Sequence, residues 1–215
     1  ELALACSHRI AKAGEEPAFG LPEVQLGIHP GFGGTVRLPE LIGVRRAMDM
    51  ILTGRSLRPG EALRVGLVDA LITDGDWRSA AIGQLERPGT RAPVPLLDRL
   101  LALGPVRPML ARTLRRKAAE KAPPEHYPAP GAIIDLWEEH GAAPSAASYE
   151  AEARSFGRLV MTPASRNLVR VYFLQERLKK LATARSTVSR VHVVGAGVMG
   201  GDIAAWCALK GLEVT

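Results

Sequence analysis

Cysteine and aromatic residues are scarce in this chain. Its 215 residues include 2 cysteines, Cys6 and Cys207, and aromatic side chains make up 5% of the total. Two distant cysteines outside any CxxC or Cys/His pattern argue against a disulfide scaffold and a zinc-binding module, so we expect a reduced protein without a metal site. Because aromatic residues are few, the core must consist mainly of aliphatic side chains.

Long hydrophobic runs are lacking as well. No stretch of about 18 apolar residues occurs, so no transmembrane helix is expected. The first residues, ELALACSHRIA, have no basic segment ahead of an apolar one, as a signal peptide would. With 47% hydrophobic and 23% charged residues, the composition is that of a globular protein, and we expect a cytoplasmic location.

Acidic residues are outnumbered by basic ones. The formal net charge is +6 and the isoelectric point is about 9.7. The basic residues are scattered, however, and the densest group, between Arg112 and Lys117, lies on a predicted helix. A solvated helix face explains this group better than a nucleic-acid-binding stripe, so no nucleic-acid partner is predicted. A modest positive field would suit a substrate that carries phosphates.

Both ends of the sequence resemble the interior of a longer protein. The chain starts at Glu1 without a methionine, and Glu213-Val214-Thr215 looks like the beginning of a strand. A complete domain rarely leaves such a strand edge unpaired. We therefore expect an internal fragment, and the activities below are those expected of the full-length protein.

Short strands and helices alternate along the first part of the chain, which predicts an α/β protein. Apolar residues at helical spacing predict a helix over residues 41–52, and a second helix should begin near Pro59. Pro, Gly and Arg accumulate between Arg87 and Pro95, which marks a domain boundary. Further predicted features are strands at 7–11, 18–23, 66–72 and 191–194, a helix from about Thr35, one or two helices within 96–119, a rigid turn at 126–130, helices over 132–181 with a break at Thr162-Pro163, and a linker at 186–189.

The most informative stretch runs from Gly20 to Thr35 and reads GLPEVQLGIHPGFGGT. It resembles the crotonase (enoyl-CoA hydratase/isomerase) family. The segments Thr53-Gly54-Arg55 and Gly66-Leu67-Val68-Asp69 resemble the same family in the same order. The resemblance covers about residues 1–75 and rests on several separate motifs.

The resemblance implies two catalytic glutamates, one on each side of the substrate's double bond. The family's Leu-Pro-Glu segment precedes its glycine-rich turn, which assigns Glu23 and not Glu40. Glu1, followed by LALAC, matches the other glutamate. Adding water across a 2,3-double bond requires a base for the water and an acid for C2, which a pair of carboxyl groups with different pKa values can provide. His29 is interpreted as a loop or packing residue.

A second motif, VHVVGAGVMGGDIA, predicts a strand, a GxGxxG turn and a helix. In such a turn Gly195 makes the tight bend, Gly197 lets the backbone approach a pyrophosphate, and Gly200 lets the helix pack against the strand. The N-terminus of the predicted helix attracts the negatively charged pyrophosphate. The pattern therefore predicts a dinucleotide-binding turn.

The form of this turn resembles that of 3-hydroxyacyl-CoA dehydrogenases. The resemblance implies NAD as the cofactor and adds Val198 and Met199 to the cofactor-binding segment. The acidic residue that would contact the ribose lies beyond Thr215, so the motif alone does not separate NAD from NADP.

The order of these segments resembles that of the α subunits of multifunctional fatty-acid oxidation complexes, and HYPAP at 126–130 and TPASR at 162–166 resemble their linker. The resemblance implies the C-terminal half of a crotonase ββα spiral over residues 1–88, a helical linker over 89–188, and the first β-α unit of a Rossmann domain over 189–215. It also implies hydration of 2-enoyl-CoA followed by NAD-dependent oxidation of 3-hydroxyacyl-CoA. The implied partners are an acyl-CoA thioester and a thiolase β subunit in a hetero-oligomer.

Three alternatives remain open. The crotonase segment could act chiefly as an isomerase, which needs mainly Glu23. It could instead be a non-catalytic scaffold that binds a thiolase through the central helices. An RNA-binding role ranks last, because no RNA-binding motif accompanies the basic residues.

Overall fold

The computed structural model describes residues 1–16, 19–73, 77–86, 92–181 and 188–215. The described part is an α/β arrangement in which helices predominate. It forms two compact units, Glu1–Tyr172 and Phe173–Thr215. Some predicted features lie outside the described residues: Ala18 of the predicted 18–23 strand, the predicted domain limit at 88, the first part of the predicted 87–95 boundary and the start of the predicted 186–189 linker.

The first unit begins with short strands and 3-10 turns and continues with helices. Its elements are a 3-10 helix (Leu2–Ala5), β1 (Ile10–Lys12), β2 (Phe19–Gly20), a second 3-10 helix (Glu23–Leu26), α1 (Gly34–Ile42), α2 (Val44–Thr53), β3 (Ser56–Leu57), α3 (Pro59–Val65), β4 (Ala70–Ile72), α4 (Trp77–Leu85), α5 (Leu96–Leu101), α6 (Arg107–Lys121), α7 (Pro128–His140) and α8 (Ala146–Val160). The next helix, α9 (Pro163–Leu181), starts in this unit and ends in the second one.

The strands of the first unit form two small sheets. β1 pairs in parallel with β4, with Ile10 opposite Ala70, and β2 pairs antiparallel with β3, with Phe19 opposite Leu57. A buried ion pair supports the first sheet: Arg9 and Asp69 are 3.0 Å apart, and their side chains are 5% and 6% exposed. Arg9 also donates to the backbone carbonyls of Leu67 and Cys6, so it ties the segment after Glu1 to the turn before β4.

The hydrophobic core lies where α1 and α2 meet α7. Its largest fully buried side chains include Leu38 and Ile42 of α1, Met48 and Ile51 of α2, and Trp137 of α7. The core cluster is otherwise aliphatic, as the scarcity of aromatic residues predicts. The buried faces of α1 and α2 fix the loop before α1, which carries the predicted site.

Several sequence predictions need correction. The strand predicted over 7–11 lies at Ile10–Lys12, and the strand predicted over 18–23 is limited to Phe19–Gly20 among the described residues, because a 3-10 helix begins at Glu23. The helix predicted over 41–52 is interrupted at Gly43, whose φ of 86° and ψ of 153° separate α1 from α2. The strand predicted over 66–72 is reduced to Ala70–Ile72, because Gly66 adopts a left-handed φ of 82° and ends α3. The turn predicted at 126–130 overlaps α7, which starts at Pro128; proline is well tolerated in the first turn of a helix.

Several predicted features are confirmed. α1 begins at Gly34, next to the expected Thr35, and α3 begins at Pro59. Helices α8 and α9 are separated at Thr162, as predicted. Among the described residues, no helix combines the length and the apolar character needed to cross a membrane.

The second unit contains a β-α-β arrangement. β5 (Arg190–Val191) is followed by α10 (Val198–Leu209) and by β6 (Glu213–Val214), and the two strands pair in parallel. The strand predicted over 191–194 is thus shorter than expected, although the backbone N–H of Val193 still donates to the carbonyl of Thr215 at 2.8 Å. The GxGxxG motif follows β5 and ends in the first turn of α10.

Candidate active site

Glu1 is held by the glycine-rich turn. Its Oε1 atom accepts hydrogen bonds from the backbone N–H groups of Phe32 and Gly34, each at 2.8 Å. A Cβ atom on Gly34 would lie 2.8 Å from the same oxygen, so a larger residue there would displace the carboxylate. Gly33 has a φ of 90°, which favours glycine. Both glycines therefore have a structural role in the turn.

Glu23 lies at the first position of the second 3-10 helix. Pro22 precedes it, and Gly27, with a left-handed φ of 71°, ends the turn. Its Oε2 atom is buried and has no hydrogen-bond partner among the described residues. A buried oxygen in this state is unfavourable for the fold, and such atoms occur at sites where a ligand can supply the partner.

The charge of Glu1 acts on the carboxyl group of Glu23. Burial raises the pKa of the Glu23 carboxyl above its ordinary value of 4.5, and the negative charge of Glu1 adds to the rise. Glu1, in contrast, has two N–H donors on one oxygen, which suits an acceptor-only carboxylate. The two carboxyl groups thus have different environments, as an acid and base pair requires.

His29 is fully buried next to the glycine-rich turn. Its Nδ1–H donates to the carbonyl of Pro30 at 2.6 Å, so Nε2 accepts from the hydroxyl of Ser155 at 2.9 Å. Burial lowers the pKa of the imidazole below 6.5, which keeps the ring neutral. His29 therefore joins the loop to α8, in agreement with the packing role that the sequence indicates.

Glu152 of α8 is a site residue that the sequence analysis did not find. It is 1% exposed, and its carboxylate accepts hydrogen bonds from the backbone N–H groups of Gly33 and Thr35 and from the Thr35 hydroxyl. In the sequence, the signal for Glu152 is its helical spacing from Ser148 and Ser155. In the structure, the three residues share one helix face and are all buried. Polar residues at helical spacing more often form a solvated face, so this pattern alone does not identify a site.

A pocket of about 340 Å³ opens beside Glu1. Glu1 provides a carboxylate to its wall, and apolar side chains such as Leu4, Phe19 and Leu21 provide much of the remaining surface. Glu23 is not among the residues that line it. A mostly apolar pocket with a carboxylate at its edge is suited to an acyl chain with a reactive group at one end.

The GxGxxG turn has the backbone features expected of its glycines at two positions. Gly195 has a φ of 122°, and a Cβ atom on Gly200 would lie 1.9 Å from the carbonyl oxygen of Gly195. A Cβ on Gly197 would meet nothing within 4 Å. Val198 and Met199 are strongly exposed at the start of α10. The turn therefore has free backbone surface at a helix N-terminus, which fits the pyrophosphate of a dinucleotide.

No group of three or more His, Cys, Asp or Glu side chains within the described ranges could hold a metal ion. The carboxylates of Glu1 and Glu152 instead accept hydrogen bonds from backbone and hydroxyl donors of the turn.

Solved structures similar to this chain include two hydratases. Carnitinyl-CoA hydratase from Mycobacterium avium has 25% sequence identity with a TM-score of 0.49, and the match covers 81% of this chain and 54% of that one. Enoyl-CoA hydratase from Bacillus anthracis has 26% identity with a TM-score of 0.32, and the match covers 83% of this chain and 54% of that one. The chain spans about half the length of each structure. Residues 1–93, which contain Glu1, Glu23 and the glycine-rich turn, match the enoyl-CoA hydratase/isomerase family.

Proposed function

We propose that the full-length protein containing this chain hydrates 2-enoyl-CoA thioesters to 3-hydroxyacyl-CoA thioesters. The observation that carries the proposal is the Glu1 and Glu23 pair, which lies in the segment that matches the enoyl-CoA hydratase/isomerase family. The oxygen of a water molecule forms a bond to C3 and one of its protons is taken up by a carboxylate. A carboxyl group delivers a proton to C2, so the C2–C3 double bond is lost and no redox change occurs.

The environments of the two glutamates suggest their roles. Glu23, whose pKa is raised by burial, suits the acid that gives the proton to C2. Glu1, fixed by two N–H donors, suits the base that accepts the proton of the water. The apolar wall of the pocket would hold the acyl chain, and the net charge of +6 would favour the phosphates of CoA.

Hydration of crotonyl-CoA by the full-length protein tests this proposal. The absorbance of the enoyl thioester should fall with the unsubstituted protein, and Glu1→Gln and Glu23→Gln should each lower kcat by at least about 100-fold, since general acid–base groups contribute that much. Glu40→Gln is the matched control, because Glu40 also follows Leu-Pro but is exposed on α1. A folded protein with no loss of enoyl absorbance would contradict the proposal.

Isomerisation of 3-enoyl-CoA is the second candidate. The buried Glu23 carboxyl favours it, because one group that takes a proton from C2 and returns it to C4 is sufficient for this reaction. Its signature would be an activity that Glu23→Gln abolishes and Glu1→Gln retains. If neither activity is found and a thiolase copurifies with the protein, the non-catalytic scaffold is favoured.

We also propose that the turn between β5 and α10 binds the pyrophosphate of NAD in the full-length protein. When bound, NAD would accept the hydride from C3 of a 3-hydroxyacyl-CoA. The chain's own contribution is the backbone N–H groups at the start of α10 and the bend at Gly195, which Gly200 permits. This would place hydration and oxidation of one acyl chain in a single protein, which raises the effective concentration of the intermediate.

Gly200→Ala tests the cofactor proposal against Gly201→Ala. The added methyl at 200 must displace the carbonyl of Gly195, whereas a Cβ at 201 meets nothing within 4 Å. We expect Gly200→Ala to weaken NAD binding by at least about tenfold, and Gly201→Ala to leave it unchanged, in a fluorescence titration. Equal binding by both variants would contradict the proposal.

A further inference from the structure

Four consecutive backbone N–H groups at the start of α1 are divided between two carboxylates. Those of Phe32 and Gly34 donate to Glu1, and those of Gly33 and Thr35 donate to Glu152. The two acceptors alternate along the chain, so each carboxylate restrains the backbone that holds the other. The first N–H groups of a helix have no partner within the helix, which leaves them free for this purpose.

Glu152 is buried and held by several hydrogen bonds. Two backbone N–H groups and the Thr35 hydroxyl donate to a side chain that is 1% exposed. A buried carboxylate is costly unless its oxygens are hydrogen-bonded. Burial raises the pKa of Glu152, the hydrogen bonds from Thr35 and Gly33 oppose the rise, and the charge of Glu1 adds to it.

A further charged neighbour of the turn, Arg37, acts on a different atom. Arg37 of α1 donates to the carbonyl of Phe32 at 2.7 Å, and its guanidinium lies 4.8 Å from the centre of the Tyr149 ring. Arg37 therefore holds the carbonyl side of the turn, whereas Glu152 holds its N–H side. Glu152 reaches the turn from α8, more than 100 residues further along the chain.

We propose that Glu152 is a positioning residue for Glu1. It fixes the peptide groups of residues 32–35 so that the N–H groups of Phe32 and Gly34 point at the Glu1 carboxylate, and it does not contact the substrate. The inference rests on the proposed function, because the role of Glu1 in hydration is what gives its orientation a measurable effect.

The test is Glu152→Gln in the full-length protein with crotonyl-CoA as substrate. The glutamine amide group must face one of the N–H donors, so at least one hydrogen bond to the turn is lost. We expect kcat to fall by about 10- to 100-fold, with KM within about twofold of the unsubstituted value, because a small displacement of a catalytic group affects the reaction more than binding. Ser148→Ala is the control: Ser148 is buried on the same helix and caps it, but it does not contact the turn, so kcat should be retained.

A double-mutant cycle separates positioning from a general effect on the fold. If Glu152 acts through Glu1, adding Glu152→Gln to Glu1→Gln should lower kcat by less than about twofold further. A further loss equal to that of Glu152→Gln alone would overturn the proposal. So would a folded Glu152→Gln protein with unchanged kcat, and that result would leave the proposed hydration intact.

Thr35→Val provides an independent test of the proposal if the Glu152→Gln protein does not fold. It removes the hydroxyl donor and keeps the backbone N–H, so a loss in kcat of about three- to tenfold is expected, whereas Thr35→Ser should retain activity. Equal activity of the two variants would overturn the proposal. No hydration by the unsubstituted protein would overturn the proposed function, and the role of Glu152 with it.

Discussion

At the scale of single residues, the site is built from buried polar side chains that meet through one loop. Glu23, His29 and Glu152 are all buried or half-buried, and each has a pKa shifted first by its burial. For the two glutamates burial favours the neutral form, and for the histidine it does the same by lowering the pKa. The protonation of these three side chains therefore depends on whether the chain is folded.

His29 should make stability depend on pH in a defined direction. Its pKa in the folded protein is below 6.5, its ordinary value, so below that pH the unfolded chain takes up a proton that the folded chain does not. The free energy of unfolding should therefore decrease as pH falls below about 6.5, with a slope of at most about 1.4 kcal/mol per pH unit. Urea unfolding at several pH values from about 5 to about 8, which bracket the ordinary histidine pKa, would measure the slope.

Two variants identify the source of this slope. His29→Gln should lose the part of the slope that His29 causes, whereas His126→Gln, with an exposed side chain, should keep the slope of the unsubstituted protein. If both variants behave alike, the pH dependence arises elsewhere in the chain.

The sequence predicts part of the site at this scale and omits another part. Glu1, Glu23 and the glycines of the turn stand within motifs, so their placement near each other could be expected. Glu152 could not, because it lies on a helix without a motif and contacts residues more than 100 positions away. A pattern in sequence reports local periodicity, and a contact between distant elements depends on how the helices pack.

At the scale of elements, α5 holds the start of α2. Asp98 of α5 is 2% exposed and accepts hydrogen bonds from the backbone N–H of Arg45 at 3.0 Å and from its guanidinium. A Cβ on Gly43 would lie 2.8 Å from the Asp98 carboxyl carbon, so glycine is needed for the approach. This contact explains why the predicted helix over 41–52 is split: the apolar spacing continues through residue 43, but the chain bends there.

Asp98→Ala should therefore destabilise the fold by about 2 kcal/mol, because it removes a buried side chain and leaves the partly buried backbone N–H of Arg45 without its partner. Asp49→Ala is the matched control, since the Asp49 and Arg55 side chains are each 49% exposed and such a pair contributes less than about 1 kcal/mol. Denaturant unfolding of both variants measures the difference. Equal losses would contradict the anchoring role of α5.

At the scale of the whole molecule, the core belongs to the first unit. The buried hydrophobic cluster extends from Ala11 to Trp137, and most of the large apolar side chains described in the second unit are exposed. Examples are Leu174, Leu178, Trp206 and Leu209, which are 53%, 68%, 62% and 79% exposed. Exposed apolar side chains of this kind are typical of interaction surfaces.

A chain that ends at Tyr172 should keep the thermal stability of the 215-residue chain and bind less of a hydrophobic dye. The midpoint of unfolding should change by less than about 4 °C, a change of roughly 1 kcal/mol, because the core cluster is intact. Differential scanning fluorimetry and dye fluorescence at equal concentration measure the two effects. A large fall in the midpoint would show that residues 173–215 stabilise the core.

The ion pair between Arg9 and Asp69 has a consequence for the order of folding. It closes a loop of 60 residues, together with the parallel pairing of β1 and β4. Local helices such as α2 can form first, whereas this closure must wait for distant segments to meet and is slower. The segment that carries Glu1 is therefore expected to dock last, so pulsed hydrogen exchange should protect the amides of α2 before those of β1. The proposed pairing of Glu1 with Glu23 would then be completed only by the final docking step, after nearly all of the first unit has folded.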